Sequence, residues 1–192
     1  MNAHGSMTTM PVPTGARVRR AWETVSDELR RSTAAAVVTA VLLASALPLA
    51  PVMQAALAVS GGMLALAALV DVCEHRLPNR LIGAAAVAPL VGAVVGLEFR
   101  VLLQSFGGAL VAGGAMLVVR LARGVGMGDV KMAAAVGAGV GMLSIDRAAV
   151  AIAVAALVAA AWGAARRRNS LPLGPSLWFG WATTIALAAF GW

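Results

Sequence analysis

Two of the eight acidic residues, Asp71 and Asp129, stand beside long uncharged runs and inside motifs marked by proline or glycine. Asp71 closes the uncharged run that starts at Ser32, and Pro78-Asn79 follows it. Asp129 stands in Gly126-Met127-Gly128-Asp129-Val130-Lys131, where another apolar run opens. Ionisable groups at membrane depth are costly and tend to mark function. Two carboxylates that face each other can share a proton. The ionised one takes a proton from water while the protonated one polarises a carbonyl, which hydrolyses a peptide without a metal or a covalent intermediate. A second reading makes each aspartate a solvated loop residue or a helix N-cap, a position Asp favours. A third makes the pair a proton or cation site in a small transporter or channel. Such acids belong near the bilayer midplane at broken helices, whereas these two stand near one edge. An inactive scaffold is a further alternative.

The neighbouring residues carry weaker signals. Lys131 is the only lysine beside 14 arginines. A compact ammonium is not interchangeable with a guanidinium. Two residues from Asp129, it is expected to steady the ionised carboxylate or to bind a backbone carbonyl, with chance placement as the alternative. Gly126 and Gly128 permit a sharp turn at a helix start and the close approach of a substrate chain. Pro78 suits a helix start, and Asn79 is expected to bond nearby backbone and orient the helix after it. Gly174-Pro175 shapes the start of the last apolar run. Cys73 and His75 are two residues apart, so on a helix they diverge and make a poor nucleophile pair. With one cysteine and two histidines, His4 and His75, no metal site and no cofactor is expected.

Long apolar elements must position these groups. The 192 residues are 60% hydrophobic and 12% charged, against about 25% charged in soluble domains. Mean hydropathy is +0.87. That composition excludes a disordered chain, a collagen and a nucleic-acid-binding domain. The excess of 15 Lys+Arg over 8 Asp+Glu fits a membrane protein. The charge clusters bracket seven apolar segments, roughly 32–50, 54–72, 81–98, 101–120, 130–145, 147–165 and 174–191. The fold expected is an all-α membrane protein, a polytopic bundle of about seven transmembrane helices. A turn is expected over Pro48–Gln54, and the short, glycine-rich fifth segment should be tilted or shielded by its neighbours. Gly107, Gly108, Gly113, Gly114 and the Gly137/Gly141 pair read as close helix contacts. Val18, Trp22, Val25 and Leu29 recur at helical spacing among arginines, which suggests an amphipathic helix on the anionic inner surface; a solvated tail is the alternative. Ala44-Ser45-Ala46 leaves a cleaved signal as a second reading of the first segment. With the N-terminus inside, 13 of the 15 basic residues lie on the cytoplasmic side and only Arg100 and Arg147 outside. Trp192 then fits an outer-interface anchor, and Trp178 and Trp181 fit packing or anchoring.

Three segments occur in a telling order: Asp71 with Pro78-Asn79, then Gly126-x-Gly128-Asp129-Val130-Lys131, then Gly174-Pro175 before the last run. Together they resemble the prepilin peptidase (type IV leader peptidase) family of GxGD membrane aspartyl proteases, over roughly Gln54 to Trp192. The resemblance implies a six-helix core at 54–192, preceded by an extra helix at 32–53 and a cytoplasmic segment at 1–31. It implies that Asp71 and Asp129 are the catalytic pair, with Pro78, Asn79, Gly126, Gly128, Lys131, Gly174 and Pro175 in support. The substrate implied is a prepilin or pseudopilin, whose basic leader is cut at the cytoplasmic face of the inner membrane. Glu74 then becomes a rim charge that could meet that leader, or a solvated loop residue. Bifunctional members carry a large cytoplasmic region with paired CxxC motifs, linked to N-methylation. This chain has one cysteine and no such region after its first apolar segment. The short form is more similar to peptidases of tight-adherence pili and to archaeal preflagellin peptidases.

Overall fold

A computed structural model describes residues 15–122, 125–166 and 172–191. Seven α-helices follow in order: α1 (Gly15–Ser45), α2 (Pro51–Glu74), α3 (Asn79–Val95), α4 (Phe99–Leu121), α5 (Met127–Gly141), α6 (Ile145–Arg166) and α7 (Gly174–Ala189). No strand occurs among the described residues. The chain divides into two units, Met1–Ser32 and Thr33–Trp192. α1 runs from Gly15 to Ser45. The side chains of Val18, Trp22, Val25 and Leu29, on which the amphipathic reading rests, lie outside the described residues.

Helices α2, α4 and α6 are long and apolar enough to cross a membrane. Their surroundings differ. The apolar stretch of α2 is 56% buried, against 22% for α4 and 17% for α6. Leu103, Leu110 and Leu157 on α4 and α6 are exposed, a pattern that lipid satisfies and water does not. α3 and α5 have 17 and 15 residues and α7 has 16, about 22–26 Å of helix at 1.5 Å per residue.

α5 is the central element and touches α2, α3, α4, α6 and α7. From Ala135 to Gly141 every residue is buried, so its short length is accommodated by shielding from its neighbours. Small residues make this possible. A Cβ on Gly137 would run into the Gly108 carbonyl, and one on Gly141 would stand 2.6 Å from the Gln104 carbonyl. Ser105 Oγ donates to Ala138 O at 2.7 Å across the same seam, and Ser60 Oγ donates to Ala85 O at 2.8 Å between α2 and α3. Trp181 is fully buried and occupies the space left by Gly61 and Gly139, which makes it a packing residue. Trp178 Nε1 donates to Gly61 O at 3.2 Å. Trp192 lies outside the described residues. The α1–α2 turn falls at Ala46–Ala50, with Pro51 opening α2, and Gln54 Nε2 closes it by donating to Leu47 O at 2.8 Å.

Candidate active site

The ends of α2, α4 and α6 and the starts of α3, α5 and α7 form one mouth of the bundle. Asp71 lies on the last turn of α2 and is buried. Its Oδ2 accepts the Gly174 N–H at 2.9 Å. Gly174 is the first residue of α7, where the first four N–H groups have no partner within the helix. Asp71 thus meets the positive end of a helix. Glycine is required there by space, because a Cβ would stand 2.9 Å from Asp71 Oδ2 and 3.1 Å from Ala68 Cα. Pro175 follows in the first turn, where a missing N–H costs nothing.

Asp129 is not the N-cap of α5. That position is Gly126, and Asp129 is three residues on, in the first turn. Its Oδ2 reaches back to accept the Gly126 N–H at 3.0 Å. This is the carboxylate arm of a capping box, and glycine has no side chain to supply the other arm. Gly126 has φ −78°, an ordinary backbone angle, so the sharp turn expected of it is not what glycine provides. Gly128 instead provides room. A Cβ there would stand 3.1 Å from Leu77 Cδ1.

Asp129 stands ahead of the apolar segment 130–145, at the mouth. Burial raises its pKa above the ordinary value of 3.8, the Gly126 hydrogen bond pulls it back, and the charge of Asp71 pushes it up again. The net direction is up. The charge of Asp71 on α2 is thus felt by Asp129 on α5.

Lys131 does not behave as expected. Its Nζ donates to Asn79 Oδ1 at 3.1 Å. On a helix, residues two apart face different ways, so Lys131 points off the face that carries Asp129. Asn79 correspondingly uses its side chain on Lys131 rather than on nearby backbone. Pro78 is the N-cap of α3 and Asn79 its first residue. Cys73 is exposed, and His75 lies beyond the end of α2 in a left-handed conformation with φ 51°. Glu74 is exposed and lines a small cleft with Arg76, Leu77 and Asn79. Arg123 and Arg167, expected on this side, lie outside the described residues.

Sequence reasoning missed Ser176. It is buried on the first turn of α7, and its Oγ has no partner among the described residues. It lines a cavity of about 230 Å³ with Met116, Val125, Ile152 and Leu177. A lone serine in an apolar run carries no spacing signal that could have singled it out.

Residues 57–164 match the type IV leader peptidase family. No curated protein and no solved structure matches the chain.

Proposed function

The chain belongs to the type IV leader peptidase family, and from that membership we propose that it is an aspartyl endopeptidase that removes the basic leader of a prepilin or pseudopilin at the cytoplasmic face of the membrane. The observation that supports this reading is that Asp71 at the end of α2 and Asp129 in the first turn of α5 each accept an N–H at the start of a helix, with the charge of Asp71 bearing on Asp129. The motif aspartates of the family resemblance fall on these two positions.

In this reading Asp129, whose carboxyl holds its proton more tightly than usual, is the acid. It donates a hydrogen bond to the scissile carbonyl. Asp71 is the base and takes a proton from the attacking water. The Gly174 N–H fixes the orientation of the Asp71 carboxylate. Asp71 then gives that proton to the leaving amine while Asp129 keeps its own, which returns both groups to their starting states. No third group of metal-binding type joins them among the described residues, and chelation by EDTA is expected to leave the rate unchanged. Methyl transfer is not part of the proposed activity. The proposed organisation is a cytoplasmic segment at 1–31, an extra helix at 32–53 and a six-helix peptidase core at 54–192.

The test is leader release from a synthetic peptide with a prepilin-type leader, using the purified chain in detergent. Asp71→Asn and Asp129→Asn should each lower the rate by about 10²–10⁴-fold or more, with the protein still inserted and folded. Cleavage near the wild-type rate by either variant overturns the assignment.

A further inference from the structure

We propose that Lys131 and Asn79 form a positioning strap across the mouth of the bundle, which holds the first turn of α5, and with it Asp129, against the α2–α3 loop that follows Asp71. The strap rests on the peptidase reading, since the pair it positions is the proposed catalytic pair. Lys131 Nζ donates to Asn79 Oδ1 at 3.1 Å. Lysine has three donors and no acceptor, so this contact also decides which end of the Asn79 amide faces α5. Each residue lies at the start of its helix, Asn79 on α3 and Lys131 on α5.

A second contact runs beside the first. Leu77, in the same loop, lies so close to Gly128 that a Cβ would stand 3.1 Å from its Cδ1 and 3.2 Å from its Cβ. The loop is thus held to the turn of α5 on both sides of Pro78. Asn79 follows Asp71 through the end of α2 and the short loop to Pro78, while Lys131 follows Asp129 directly. The hydrogen bond ties the segment that leads on from Asp71 to the turn that carries Asp129. Slack in that tie shifts one carboxylate relative to the other, and a misplacement of about 1 Å can cost about 10²-fold in rate. Lys131 and Asn79 are both exposed, where a polar contact adds little to stability. The geometry of the mouth is where the contact matters. Both are positioning residues, acting through backbone and not on the reacting atoms.

The experiment is a double-mutant cycle on leader release by the full chain, with a synthetic prepilin-type peptide. Lys131→Ala and Asn79→Leu should each lower kcat about tenfold or more while KM moves less than about threefold. The double variant should be no slower than the slower single, because one contact is lost either way. Asn79→Asp keeps an acceptor oxygen for the ammonium and should recover at least about threefold of what Asn79→Leu loses. That recovery should vanish in the Lys131→Ala background. Losses that multiply in the double variant, or an Asn79→Asp enzyme as slow as Asn79→Leu, overturn the strap. If Lys131→Ala fails to fold, the comparison of Asn79→Asp with Asn79→Leu alone decides. Asp71→Asn is run alongside; wild-type cleavage by that variant overturns the peptidase reading instead, so the two failures are distinct.

Discussion

At Asp129 burial and the Asp71 charge favour the protonated acid, and the Gly126 N–H favours the anion. Burial is the largest of the three, so the folded carboxyl holds its proton above the ordinary 3.8. A carboxyl raised on folding contributes relative stability at low pH, and that contribution is lost as pH rises through its folded value. Asp129→Asn keeps an oxygen for the Gly126 N–H and removes the titration. Its melting temperature in detergent should therefore exceed that of wild type at neutral pH, and the gap should close as the pH is lowered. A gap that widens toward acid would show that the carboxylate is stabilising. Activity shares the upper limb, since the acid of the pair is lost as Asp129 ionises. Gly174 offers a steric test of Asp71. Gly174→Ala puts a methyl about 3 Å from the carboxylate and from the α2 backbone. It should slow cleavage by about tenfold or more. Gly114→Ala, with nothing within 4 Å of the new carbon, should leave cleavage at the wild-type rate. The two aspartates draw attention in the sequence because each stands beside an apolar run and also inside a motif marked by proline or glycine, which Glu98 and Asp146 do not. The Gly174 bond to Asp71 and the Lys131 bond to Asn79 were not, because each joins residues far apart in the chain, and spacing informs only about neighbours. Proximity in sequence offers the Asp129 carboxylate or a backbone carbonyl as the partner of Lys131, with chance placement as the alternative, and the side chain bonds to Asn79 instead.

Helix limits were legible for a simple physical reason. Most apolar runs end where charge appears, and prolines mark the α1–α2 turn and the start of α7; the observed α2, α3, α4, α6 and α7 differ from the expected segments by a few residues. α1 was less legible. Arg30 and Arg31 interrupt the apolar pattern but not the backbone, since arginine is a good helix former. Pairing between helices could be inferred only in kind. The Gly137/Gly141 spacing announced a close contact; that its partner surface is Gln104, Ser105 and Gly108 on α4 came from the structure. This seam sets where α5 lies, and so where its first turn carries Asp129. Gly137→Val should therefore act through the element. The new side chain meets backbone on α4, which cannot swing aside, and overpacking of this kind costs about 1–3 kcal/mol. Gly107→Ala meets only the side chain of Ile145, at Cδ1 and Cγ1, and no backbone, and should cost less than Gly137→Val. Thermal unfolding of both variants in the same detergent checks the order. Equal stabilities would mean that α4 and α5 do not approach as closely as their glycines allow.

Across the bundle, the two ends differ in charge as well as in chemistry. Arg76, Arg80, Arg120 and Lys131 lie at the end that carries the aspartates, and Arg100 and Arg147 lie at the other. Basic residues in short loops favour the cytoplasmic side, so the mouth with Asp71 and Asp129 is expected to face the cytoplasm. A leader that has not crossed the membrane would then reach the carboxylates directly. The chain supplies its own first probe. Cys73 is its only cysteine and is exposed, two residues beyond Asp71. In right-side-out vesicles an impermeant maleimide should leave Cys73 unlabelled, and in inverted vesicles it should label it. A single cysteine in place of Asp146, in a Cys73→Ser background, should give the opposite pattern. Asp146 lies on the first turn of α6 and is exposed at the far end of the bundle. Labelling of Cys73 from outside, with position 146 labelled from inside, would put both aspartates on the face away from a cytoplasmic leader. It would leave the fold intact while removing the substrate from reach. The pair of measurements bears on orientation alone and needs neither substrate nor activity.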